Sequence, residues 1–148
     1  MFYEEDIFFL LLYCVFSCSN TDEKYHANWI IDTYEVDGKD QMDWIGSYNF
    51  LIDLEEMKVT PSGVFDDKGN IKLVKSDIVL YKENGKDYFL IEKHPNFAGV
   101  FEVVCEDKEC CSLILKGKRT KIELIYNGDI PFGKTRNCPD SRNLRTSR

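Results

Sequence analysis

Beyond residue 28 the chain alternates short apolar stretches with compact polar turns. From Asp66 onward the turns recur roughly every 10 to 17 residues, the spacing of an antiparallel meander. They read "VDGKD" at Val36–Asp40, "DDKGN" at Asp66–Asn70, "ENGKD" at Glu83–Asp87, "HPN" at His94–Asn96, "EDKE" at Glu106–Glu109, "KGKR" at Lys116–Arg119 and "NGD" at Asn127–Asp129. Gly and Asn in these clusters supply the positive φ angles that tight hairpins need, so each pair of turns brackets a strand. "TKIELIY" sets Ile122, Leu124 and Tyr126 against Lys121 and Glu123, which makes one face apolar and the other mostly polar. "NIKLVK" repeats the device with Ile71 and Leu73 against Lys72 and Lys75. "DIVLY", "DYFLIE" and "GVFEVVC" are β-branched and aromatic on both faces, which predicts cover on both sides.

Met42–Lys58 is ambiguous. Ile45, Tyr48 and Ile52 recur at helical spacing, whereas "YNFLIDL" reads as a strand. The pattern predicts a short helix or irregular start and then a strand over Phe50–Leu54, before Pro61 and Gly63 break the chain. The total is about eight strands with short connections. A sheet of that size keeps open edges unless it curls, and closure into an up-and-down barrel removes them. The expected fold is therefore all-β, an antiparallel meander closing into a barrel, with a β-sandwich as the rival.

Ahead of this domain, Ile7–Phe16 ("IFFLLLYCVF") is almost wholly apolar but well short of the roughly 20 residues a membrane-crossing helix needs. It has the length of a secretory signal's apolar core, and the small Ser17, then Cys18, then the polar Ser19–Lys24 follow it. The organisation expected is a signal peptide over residues 1–17, a tether over 18–27 containing a lone, solvated His26, a barrel over 28–130 and a basic flexible tail over 131–148. "VFSC", Val15–Cys18, resembles a bacterial lipobox, with an aliphatic residue three before the cysteine and a small one immediately before it. That resemblance implies a diacylglycerol thioether on Cys18, cleavage after Ser17, and acylation of the new amino group by a fatty acid such as palmitate. Several acyl chains anchor lastingly where one alone is marginal. The place implied is the bacterial cell envelope, on the outer or inner membrane, facing the periplasm or the cell surface.

The meander itself resembles the lipocalin-like domains of small lipoproteins of Gram-negative bacteria. The likeness runs over Asn28–Asn127 and rests on "NWIIDTYEVDGKD", a tryptophan-bearing first strand running into a polar turn, followed by the run of hairpins.

With Cys14 removed in the signal and Cys18 acylated, four cysteines remain: Cys105, Cys110, Cys111 and Cys138. Outside the cytoplasm these point to disulfides, and three pairings are open. Cys105 and Cys110 flank "EDKE" and can face each other across a hairpin, with Cys111 on the opposite face free to reach Cys138. The C-x4-C-C spacing is not that of a zinc site, with or without His94, and no metal is expected. Nucleophile-elbow, phosphate-loop and HExxH patterns are missing, so neither a cofactor nor an enzymatic activity is expected. His94 reads as part of a loop, and Asp66, Asp67 and Asn70 as a hairpin turn without EF-hand spacing.

Charge narrows the partners. The chain carries a net −7, while the tail concentrates Lys134, Arg136, Arg142, Arg145 and Arg148 against Asp140, which leaves an acidic body that repels polyphosphate. Nucleic acid is not an expected partner. Aromatics are plentiful for a small barrel, whose interior either packs solid or holds one small ligand. Trp29, Trp44, Phe89 and Phe101 are the candidate pocket lining. Two functions follow: a membrane-anchored, non-enzymatic lipoprotein of the envelope that binds a small apolar or amphipathic ligand or acts as an accessory protein, or a structural or inhibitor-like interaction module with a solid core. An open cavity favours the first, and a solid core with an exposed apolar patch favours the second.

Overall fold

The computed structural model describes residues 23–130 and 136–138; the expected signal segment, Cys18 and most of the basic tail lie outside them. The described chain opens with a 3₁₀ turn, Glu23–Tyr25. Eleven strands follow: β1 (Ala27–Val36), β2 (Lys39–Asp40), β3 (Asn49–Asp53), β4 (Lys58–Thr60), β5 (Val64–Phe65), β6 (Ile71–Lys72), β7 (Ser76–Glu83), β8 (Lys86–Ile91), β9 (Gly99–Cys105), β10 (Ser112–Lys116) and β11 (Thr120–Gly128). A second 3₁₀ turn, Met42–Trp44, lies between β2 and β3.

Eight strands make a closed antiparallel barrel. Its order is β1, β3, β4, β7, β8, β9, β10, β11, and β11 returns to pair with β1 from Asn28↔Gly128 to Val36↔Thr120. Register shifts in that seam, at Asn28/Trp29 and Ile31/Thr33, mark irregularities that bend β1 around the barrel. β2 extends the other edge of β1 beyond β3, and β5 with β6 forms a separate hairpin between β4 and β7. Two turns are of the type that matches strand twist, with positive φ at both central residues: Asp37 and Gly38 after β1, Asn84 and Gly85 after β7.

The strand alternation of "TKIELIY" is kept, since Ile122, Leu124 and Tyr126 of β11 all point into the core. Three other expectations need correction. "NIKLVK" forms only the two-residue β6 and leaves Ile71 and Leu73 exposed, because it belongs to the hairpin outside the barrel wall. β7 and β9 are covered on one face only, with Val79 and Val100 outward and exposed, because none of the described residues packs over them. The tether stops short of Ala27, because Tyr25 and Ala27 are core residues and the Leu54 N–H donates to His26 Nδ1 at 2.9 Å.

Candidate functional site

The interior, where a barrel would hold a ligand, is occupied by the protein's own side chains. Trp29, Phe50, Phe89, Phe101, Leu115 and Ile122 keep between 0 and 2% of their surface. A sizeable cavity would leave accessible surface on its walls, and these six have almost none. The rings meet edge to face, Tyr25 on Phe89 at 5.3 Å and Trp29 on Tyr126 at 6.0 Å, a favourable arrangement for aromatic pairs. The Trp29 indole N–H donates to the Tyr25 carbonyl at 3.0 Å, which satisfies the one polar group this side chain carries. Of the four candidate lining residues, Trp29, Phe89 and Phe101 are brought together in the core. Trp44 is not; it stands outside the barrel at 74% exposure.

One end of the barrel is shut by a residue from the tail. Arg136 lies over Tyr126 at 4.7 Å and over Trp29 at 5.3 Å, donates to the Cys110 carbonyl at 2.8 Å, and bonds the Lys24 carbonyl of the first 3₁₀ turn. Two residues on, Cys138 is bonded to Cys111, and Cys105 to Cys110, with Cα separations of 5.7 and 5.0 Å. Four cysteines thus sit in disulfide pairs, and the second pair holds Arg136 in place. Burial pulls the Arg136 pKa below its ordinary value, yet the aromatic faces and carbonyls still suit a cation. Sequence reasoning assigned Arg136 to a flexible tail; the signal that could have found it was Cys138, two residues away.

The other end is stopped by the β8–β9 loop. Phe97 enters the barrel mouth and packs on Tyr34 at 5.0 Å and Phe50 at 5.9 Å. His94, only 4% exposed, holds this loop: its Nδ1 accepts the N–H groups of Asn96 and Phe97, both at 3.1 Å. Nδ1 is therefore unprotonated and Nε2 carries the hydrogen. Nε2 is buried with no partner, as is Ser76 Oγ at the start of β7. Burial lowers the His94 pKa. The histidine is thus in a loop, as the sequence suggested, but as its internal brace.

Two features remain on the outside. A cleft of about 290 Å³ at the β10–β11 hairpin is lined by Lys116, Lys118, Arg119 and Lys121 together with Glu35. Two of these four cations are ion-paired, for Arg119 bonds Asp37 and Lys121 bonds Glu123 at 3.0 Å. The Arg119 guanidinium lowers the Asp37 pKa, and Glu123 raises that of Lys121. Such exposed pairs contribute little to stability. The "DDKGN" turn is similarly self-contained: Asp66 Oδ1 accepts the N–H groups of Lys68 and Asn70 at 2.9 and 2.8 Å.

The second feature is apolar. Trp44, Tyr48, Phe65, Ile71 and Leu73 are five of the eight large hydrophobic side chains left exposed among the described residues, and all lie between positions 44 and 73. They occupy two segments, the second 3₁₀ turn with its exit and the β5–β6 hairpin, which are bonded to each other by Gly46 N–H to the Gly63 carbonyl at 2.9 Å. Neither a family model, nor a curated protein, nor a solved structure matches the chain.

Proposed function

We propose that this protein is a lipid-anchored lipoprotein of the bacterial envelope that works through its outer surface, as a non-enzymatic protein–protein interaction module. The observation carrying the reading is the filled interior: the side chains a ligand would need to touch are already in contact with one another. Concentration of the exposed apolar side chains on one side supports it, since scattered ones need no explanation whereas clustered ones mark contact surfaces. The anchor reading rests on "VFSC" at Val15–Cys18, and the disulfide-paired cysteines suit an oxidising compartment.

A fluorescent apolar amine such as N-phenylnaphthylamine, titrated into the Trp44→Phe variant, tests the core. Trp29 is then the remaining tryptophan. The expected result is no saturable change in Trp29 emission; one-to-one saturation with quenching would overturn the reading.

One observation favours a second reading. His94 Nε2 and Ser76 Oγ are buried without partners near the mouth that Phe97 blocks. An amphipathic ligand that displaced Phe97 would find polar groups there, and the same titration with Phe97→Ala would register it as new saturable binding.

A further inference from the structure

The two apolar segments form a surface that is built in advance of any contact. Ser62 is fully buried between them; its Oγ accepts the Ser47 N–H at 3.1 Å, and Ser47 Oγ accepts the Gly63 N–H at 3.2 Å. A Cβ on Gly46 would come within 2.6 Å of the Gly63 carbonyl oxygen, so that glycine is required by a close backbone approach, and one on Gly63 would come within 2.3 Å of Ile71 Cγ2, so that glycine makes room for the Ile71 side chain. Phe65 and Ile71 face each other across β5 and β6, and Leu73 lies beside Gly63. The aromatic and aliphatic side chains thus project from a hydrogen-bonded base whose ordering cost is met before binding. Trp and Tyr on such a base are the residue types that anchor protein interfaces.

Its direction selects the occupant. β1 begins at Ala27 and rises for ten residues, about 30 Å. The platform lies toward the far end of that length: Gln41 N–H, three residues before Trp44, bonds the Tyr34 carbonyl, and the chain leaving β4 at Thr60 for the hairpin runs in the same direction as β1. An anchor at Cys18 is joined to Glu23 by a segment reaching at most about 17 Å, which holds the Ala27 end toward the bilayer. We infer that the Trp44, Phe65, Ile71 and Leu73 platform faces away from the membrane and docks an apolar segment of a second envelope protein, an inference that rests on the interaction-module reading above. Asp43, Asp66 and Asp67 border it and oppose an anionic lipid surface.

The test places the photo-crosslinker p-benzoylphenylalanine at Trp44, at Leu73, and at Val100, the last an exposed apolar position on β9 at 48% exposure. The full-length chain is expressed in its native cells. The expected result is one and the same protein adduct from Trp44 and Leu73 but not from Val100, reduced about tenfold by Ile71→Asp, as for loss of one interface anchor. Phe65→Ser, exposed on β5, gives the same reading should Ile71→Asp lose the wild-type melting temperature. Equal adducts from Val100, an adduct of two copies of this chain, or adducts to lipid alone would each overturn the proposal. In a Cys18→Ala background, the same adduct together with undiminished membrane partitioning would uphold the platform and overturn the anchor.

Discussion

His94 braces its loop through the nitrogen that a proton would occupy. Protonated Nδ1 cannot accept the Asn96 and Phe97 N–H groups, so the folded state resists the charge and the pKa is lowered by burial. The unfolded chain, with a histidine near about 6.5, takes up the proton first as pH falls. Stability from this group is therefore fully present above the unfolded value and is lost as pH drops below it. From the neighbouring elements, the groups bearing on this loop are the Tyr34 phenol, 3.5 Å from the Asn96 carbonyl, and the exposed Glu92, Lys93 and Asp77. Urea midpoints should fall between pH 8 and pH 5, and His94→Leu should flatten that slope while costing about 1–3 kcal/mol for the two N–H groups left bare. An unchanged slope would remove His94 from the account.

At the scale of elements, the two disulfides restrain very different loops. Cys105 and Cys110 are 5 residues apart, Cys111 and Cys138 are 27 apart. Loop-closure entropy then gives about 2 kcal/mol for the first and about 3.5 kcal/mol for the second. Removing Cys111–Cys138 as a Ser pair should also free Arg136 and shift Trp29 emission to the red, which the Cys105–Cys110 pair of substitutions should not do. The β5–β6 hairpin makes a separate expectation: Gly46→Ala, which meets backbone at 2.6 Å, should loosen residues 61–75 in hydrogen exchange and leave β8–β11 protected. "NIKLVK" and "TKIELIY" carry the same alternation but opposite fates. Periodicity reports which residues share a face and is silent on what that face meets, so Ile71 was legible as a strand residue and its exposure was not.

For the molecule as a whole, the described strands close the barrel among themselves, since β11 pairs back to β1, which begins at Ala27. Cys18→Ala should therefore release the protein from membranes with its melting temperature intact; fractionation and a thermal scan check both. Continued membrane association of the folded variant would leave the apolar Ile7–Phe16 segment as the anchor in place of a lipid.

By itself the sequence determined the class of fold and most of the barrel strands. Turn residues with positive φ are local chemistry, and β-branched alternation between them leaves a meander whose edges are best removed by closure. It showed too that Cys105 and Cys110, flanking a single turn, could face each other, while three pairings of the four cysteines stayed open. Tertiary structure alone decided that the barrel is solid, that Trp44 stands outside while Trp29 is sealed within, that Arg136 shuts one end, and that Phe97 stops the other. Each of these depends on contacts between residues far apart in the chain, and on whether side-chain volumes fill the space the barrel encloses. Neither quantity is written in any local pattern.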